Sequence, residues 1–260
     1  LYDYFSIKLL FYMIQKKAIQ YKDKFFSPND IEMSIAEHLD ELRQRLLFLT
    51  FIFILTTGTS LINLKKLTLI LQEPAMGIKF LQLAPGEYFF VSIKIALYSG
   101  IIFSCPFAIY QLIMFILPGL TSAEVKIIIP SLLGSIFLFF LGIGFGYNIL
   151  IPAALQFFIQ YGAEIIEPIW SFEQYFDFII LLLLSTGLAF QIPIVQIIIG
   201  MLNIVSSRQM LNSWKYIMLS STIIGAVLTP STDPFTQILM SAAIFILYLT
   251  GTIILIALQK

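Results

Sequence analysis

One histidine and one cysteine, His38 and Cys105, are all that the 260 residues contain of either type. A lone cysteine excludes a disulfide framework within the chain, and a lone imidazole with no thiol nearby in sequence argues against a zinc or haem site. Cys105, directly before Pro106, reads as a small apolar packing residue. Charge is equally scarce. Asp, Glu, Lys and Arg make up 12% of the chain, and Lys plus Arg equals Asp plus Glu at 15 each, so no basic excess points to nucleic acid. The sequence also lacks a glycine loop ending in Gly-Lys-Ser/Thr, a nucleophile elbow and paired histidines at helical spacing. An enzyme and a bound cofactor are therefore not expected.

What fills the chain is hydrocarbon. Hydrophobic residues are 59% of it, and the mean hydropathy is +0.93. That is too apolar for a water-exposed globular surface. About 20 residues of helix cross a hydrocarbon layer of about 30 Å, so charge-poor runs count as spans. They lie at 46–63, 88–117 (interrupted by Lys94), 127–163, 178–207, 216–229 and 235–258. The expected fold is an all-α membrane protein with six transmembrane helices, of which the fifth and sixth are short.

The third run, 37 residues without a formal charge, is too long for one upright helix. Pro152, with Gly142, Gly144 and Gly146 before it, suggests a span of about 20 residues from Ile127 that continues into a second apolar piece packed at the outer surface. Gly142 with Gly146, and Ala96 with Gly100, are small-xxx-small pairs that permit close helix contact. The segment Thr229-Pro230-Ser231-Thr232-Asp233-Pro234 reads as a tight turn.

Lysine and arginine stay on the cytoplasmic or stromal side of a bilayer. With the amino terminus inside, that side holds Lys8, Lys16, Lys17, Lys22, Lys24, Arg43, Arg45, Lys126, Arg208, Lys215 and Lys260, against Lys65, Lys66 and Lys79 outside. Both termini are expected inside. Lys94, within the second span, is expected to snorkel to the nearer outer surface. Ser34-Ile35-Ala36-Glu37 has the form of a capping box, and Ile35, Leu39, Leu42, Leu46 and Leu49 recur on one helical face opposite Glu37, Asp40, Glu41 and Gln44. This pattern predicts a helix lying on the inner membrane surface before the first span, with Glu41 and Arg45 as an i,i+4 pair.

The run His38-Leu39-Asp40-Glu41-Leu42-Arg43-Gln44-Arg45-Leu46 resembles the amino-terminal signature of the TatC family of twin-arginine protein translocase subunits. Further blocks resemble it in the same order: Glu73-Pro74, Cys105-Pro106 with Tyr110-Gln111 and Phe115, and Pro118-Gly119-Leu120 with Glu124. Phe190-Gln191-Ile192-Pro193 and Leu228-Thr229-Pro230 with Asp233 and Gln237 complete the set. The match runs over 34–258, and the Thr-Pro-Ser-Thr-Asp-Pro form resembles the cyanobacterial and plastid branch. A six-span TatC-like domain over 33–260 is the expectation. Residues 1–32 have no counterpart. An extension on the inner surface, a start placed too early and a targeting presequence all remain open for them.

The resemblance implies a concave bundle that recognises the paired arginines of signal peptides on folded cargo and passes that cargo across a membrane using the proton-motive force. It implies partnership with single-span TatA/TatB-type subunits, self-association in a receptor complex, and a plastid thylakoid membrane, with a bacterial inner membrane second. Glu41 and Glu124 are implied as the acidic contacts for the arginines, with Arg43 orienting Glu41 or facing lipid phosphate. Glu124 also follows Thr121 as a capping box and reads equally as a helix cap. Gln191 is implied to line the pocket or to bond neighbouring helices. Thr229 and Gln237 are implied to dock the single-span partners, with Asp233 either joining them or capping the last helix. Pro74, Phe115 and Pro106 are implied as structural positions. A secondary transporter or channel is the alternative, but it normally needs ionisable groups near mid-membrane or repeated halves, and neither is visible here.

Overall fold

The computed structural model describes residues 35–116, 122–162, 169–202, 204–229 and 233–258. The expectations for residues 1–32 lie outside them. Helix α1 is Ile35–Ile62, followed by α2 (Leu64–Gln72), a 3₁₀ turn (Glu73–Ala75), strand β1 (Lys79–Leu81) and α3 (Glu87–Ile116). Then come α4 (Ser122–Phe145), a π turn (Gly146–Leu150), α5 (Ile151–Gly162) and β2 (Ile169–Ser171). The chain continues through α6 (Phe172–Ala189), α7 (Ile192–Met201), α8 (Ser207–Asn212), α9 (Trp214–Leu228) and α10 (Pro234–Ala257). Among the described residues, five helical stretches are long and apolar enough to cross a membrane, and Trp214–Leu228 is a shorter apolar helix.

Three expectations change. The amino-terminal helix does not lie apart from the first span: α1 runs unbroken for 28 residues, about 42 Å, because nothing from Ile35 to Thr57 is Gly or Pro. Its first turns are the polar end of the span itself. The third run does not break either. Pro130–Tyr161 is one helical stretch of 32 residues, and the π turn at Gly146–Leu150 takes up the strain. Pro152 has no N–H to give the preceding turn and its ring crowds that turn's carbonyls, so one widened turn, closed by Ile151 N–H on the Gly146 carbonyl, keeps the helix continuous. Third, only the fifth apolar helix is short. Helix α9 has 15 residues and reaches about 22 Å, whereas α10 has 24 and reaches about 36 Å.

The ends of the helices sort into two sets. At one end the loop before α3 and the loop before α6 meet in a parallel ladder, Lys79 with Ile169, Phe80 with Trp170 and Leu81 with Ser171. Buried Glu87, in the first turn of α3, accepts N–H groups from Leu83 at 2.6 Å and Ala84 at 3.1 Å with one oxygen, and from Glu173 at 2.8 Å with the other. Lys94 does not snorkel alone; its ammonium donates to Glu173 at 2.7 Å and Asp177 at 2.9 Å. Tyr175 donates to the Leu71 carbonyl at 2.6 Å, bringing α2 onto α6.

At mid-depth the small-residue pairs act as read from the sequence. A Cβ on Gly142 would stand 2.8 Å from the Thr186 carbonyl, and one on Gly146 would collide with the Thr186 hydroxyl, so α4 presses on α6. A Cβ on Gly100 would collide with Thr57, whose Cα would lie 3.0 Å from it, so α1 crosses α3 at backbone contact. Thr56 donates to the Gly100 carbonyl at 3.0 Å at the same crossing. The core proper lies around Phe176, Ile179 and Leu182 of α6, with Val91, Ile95, Leu150 and Ile151 against them.

Candidate functional site

At the end opposite the ladder, α1 meets the last turn of α3. His38, Glu41 and Arg45 fall at i, i+3 and i+7, one face of α1, and this face turns toward α3. Helix α3 is described to Ile116, and Met114 stands four residues before Pro118, which has no N–H to give its carbonyl. Arg45 supplies one donor, from Nη2 to the Met114 carbonyl at 3.3 Å, where a cation also complements the helix dipole. Its Nη1 donates to Gln111 Oε1 at 2.8 Å, while Nε at 3.0 Å and Nη2 both donate to Glu41 Oε1. The guanidinium is thus shared between two helices and is only 16% exposed.

Glu41 is left with one oxygen spent and one spare. Its side chain is 22% exposed, and Oε2 is buried with no hydrogen-bond partner among the described residues. His38 stacks on Phe115 with ring centroids 4.2 Å apart, and its Nδ1 stands 3.8 Å from that oxygen. Such an orphaned acceptor costs free energy unless something donates to it, and the strongest donor to a carboxylate is a cation.

Arg43, expected to orient Glu41 or to face lipid phosphate, pairs with Asp40 rather than with Glu41. Two residues along a helix is about 200° of rotation; Arg43 is 71% exposed and pairs at 3.7 Å with Asp40, itself exposed. Arg45, not Arg43, orients Glu41. Glu124 falls in the first turn of α4, and its side chain lies outside the described residues.

A family model described as "Sec-independent protein translocase protein (TatC)" matches residues 37–242. The chain belongs to the TatC family. It is 61% identical over 232 residues to a TatC-like protein of Porphyra purpurea, covering 89% of this chain and 91% of that one. It is 52% identical over 224 residues to the Sec-independent protein translocase protein TatC of Synechocystis, covering 86% and 88%. A crystal structure of the twin-arginine translocase receptor TatC superposes with a TM-score of 0.75 at 33% identity, over 86% of this chain and all of that one. A TatC-family chain is a non-enzymatic component of a protein translocase, and this one is a multi-pass membrane protein.

The other positions that resemble TatC fall at three levels of the bundle. Gln191 sits at the turn between α6 and α7, where Pro193 starts a new helix, and it bonds a neighbouring helix: Nε2 donates to the Ser135 carbonyl at 3.1 Å, and the Ser135 hydroxyl donates to Oε1. Pro106 lies inside α3, which continues past it, and Pro74 opens the 3₁₀ turn at the ladder end. Phe115 is the ring beneath His38.

At the turn between α9 and α10, Thr229 does not face lipid. It is 6% exposed and its hydroxyl donates to the Gly225 carbonyl of its own helix at 2.8 Å. Asp233 is the N-cap of α10, accepting from Thr236 N–H at 2.7 Å and from the Thr236 hydroxyl. Gln237 is the half-exposed polar group there, reaching the Thr222 carbonyl at 3.5 Å. Asp233→Ala removes a cap and is expected to cost about 1–2 kcal/mol. Thermal unfolding in detergent checks it.

Gln111 is the residue that sequence reasoning underused. It appeared only within a family block, yet a polar side chain one turn from the end of a long apolar run, opposite a helix bearing Glu41 and Arg45, is a signal for a cross-helix bond.

Proposed function

We propose that this chain is the receptor subunit of a twin-arginine protein translocase and that Glu41 receives one of the paired arginines of a signal peptide on folded cargo. The carrying observation is Glu41 Oε2, a carboxylate oxygen without a donor in a cluster otherwise satisfied. A guanidinium brings a planar fork of five N–H groups, so it can bond Oε2 and a second acceptor together, which an ammonium cannot match in geometry. Glu124, near the start of α4, is the acidic partner for the second arginine.

The orientation that serves this role puts the Arg45 end on the cytoplasmic or stromal side, where incoming cargo arrives and where Arg43, Arg45, Arg208 and Lys215 then lie among the described residues. The membrane is that of a thylakoid, or in a bacterium the inner membrane. Single-span TatA/TatB-type subunits dock along α9 and α10 beside Gln237, the proton-motive force drives transport, and copies of the chain associate in the receptor complex.

The test is photo-crosslinking of the purified chain to a signal peptide carrying Arg-Arg or Lys-Lys at the paired position. A Lys ammonium can still make one charge-assisted bond to Oε2 but cannot place a second donor in the same plane, and loss of one such bond, about 1.5–3 kcal/mol, leaves the Arg-Arg peptide bound at least about tenfold more tightly. Equal capture of the two peptides refutes the assignment.

A further inference from the structure

Arg45 is the most densely bonded side chain at the proposed site, and it does more than neutralise Glu41. An i,i+4 ion pair on an exposed helix would contribute little and leave both partners mobile. Here the guanidinium is anchored on α3 at two points, Gln111 Oε1 at 2.8 Å and the Met114 carbonyl at 3.3 Å, before it takes Glu41 Oε1. The carboxylate therefore cannot turn freely. Its Oε1 faces Arg45 and its Oε2 faces His38, 3.8 Å from Nδ1.

We infer that Arg45 is a positioning residue for signal-peptide recognition: by holding Oε1 it leaves the buried Oε2, beside the His38 ring, as the one oxygen of Glu41 without a donor, so that a ligand arginine that displaces this ring bonds Glu41 at one point rather than by a two-point fork. This rests on the receptor reading above. Choice of arginine over lysine then depends on where Oε2 points relative to other acceptors, and that direction is set through Gln111 and Met114. Arg45→Lys keeps the charge and can reach Glu41, but three donors on one nitrogen cannot bridge Glu41, Gln111 and Met114 in one plane.

The experiment measures affinity of the full chain in detergent for fluorescent Arg-Arg and Lys-Lys peptides, with Arg45→Gln, Arg45→Lys, Gln111→Leu and Glu41→Gln, and Arg45→Gln combined with Glu41→Gln. Arg45→Gln is expected to weaken the Arg-Arg peptide about tenfold, equal to 1.4 kcal/mol, and to lower the ratio of Arg-Arg to Lys-Lys affinity. Arg45→Lys should retain more affinity yet lose the same selectivity, and Gln111→Leu should lose part of it. In the Glu41→Gln background, Arg45→Gln should add nothing, because only coupled residues depart from additivity.

If Arg45→Gln leaves affinity and selectivity intact, tightens binding, or costs as much without Glu41 as with it, the positioning role is overturned while the receptor reading stands. If Glu41→Gln alone changes nothing, the receptor reading itself fails and takes this inference with it. Should Arg45→Gln not fold, as judged by thermal unfolding, the selectivity of Arg45→Lys and Gln111→Leu decides the matter.

Discussion

Glu41→Gln is expected to abolish tight binding of an Arg-Arg signal peptide while the protein still folds. Glutamine preserves the length of the side chain and one acceptor oxygen, and the helix face bearing His38 and Arg45 stays in register with α3. What is lost is the negative charge, and with it a charge-assisted bond of about 1.5–3 kcal/mol, or roughly 10- to 150-fold in affinity. Arg45 retains Gln111 and the Met114 carbonyl as hydrogen-bond acceptors, so its donors are not left unmade. The measurement is fluorescence polarisation with thermal unfolding run on the same samples. A folded variant that binds as tightly as the parent would remove Glu41 from the site.

The second large effect is expected at Gly100. A side chain there would enter the space of Thr57 and stand 3.0 Å from its Cα, and backbone cannot step aside as a flexible side chain can. Overpacking of this kind costs about 1–3 kcal/mol, and Gly100→Leu should sit at the upper end of that range. The effect should also travel. Helices α1 and α3 touch at Gly100 and again at Arg45, so prising them apart at the crossing lengthens the bonds from Arg45 to Gln111 and Met114. Peptide affinity should therefore fall together with the unfolding temperature. Gly58→Ala is the matched control: nothing lies within 4 Å of a Cβ at that position, and alanine favours helix over glycine by about 1 kcal/mol. Loss of stability at Gly58 equal to that at Gly100 would contradict the close-crossing account.

Much of this bundle is legible in one dimension. Apolar runs of membrane length give the spans directly, because a bilayer forces backbone groups to bond within the helix. Small residues at four-residue spacing mark close crossings, as Gly142 with Gly146 does and as Gly100 does in the pair it forms with Ala96. What periodicity could not reveal was continuity. Pro152 breaks a helix in water, yet here a single π turn absorbs it, since a bilayer makes unsatisfied backbone costlier than a widened turn. The stripe from Ile35 to Leu49 reads as a surface helix because amphipathicity alone does not fix tilt.

The site was half legible. Glu41 stood out through its family block, but its partner did not. Arg43 and Arg45 are equivalent by composition, and only the direction each takes around α1 separates an exposed cation from one wedged against α3. The contribution of Gln111 depends on two helices meeting 66 residues apart, so its place near the end of an apolar run signals a cross-helix bond without naming Arg45 as the partner. Thr229 shows the reverse case: the resemblance implied a docking role for it, while its hydroxyl is already bonded within its own helix.

The two ends of the bundle are braced in different ways. Where β1 meets β2, strand pairing and the three backbone N–H groups gathered by Glu87 tie loop to loop through main chain. At the other end, the described bond between α1 and α3 runs through the tip of one long side chain. Parting α1 from α3 at that end therefore asks only that one guanidinium change partners and one ring pair unstack, whereas the far side would have to unzip its peptide ladder before it moved.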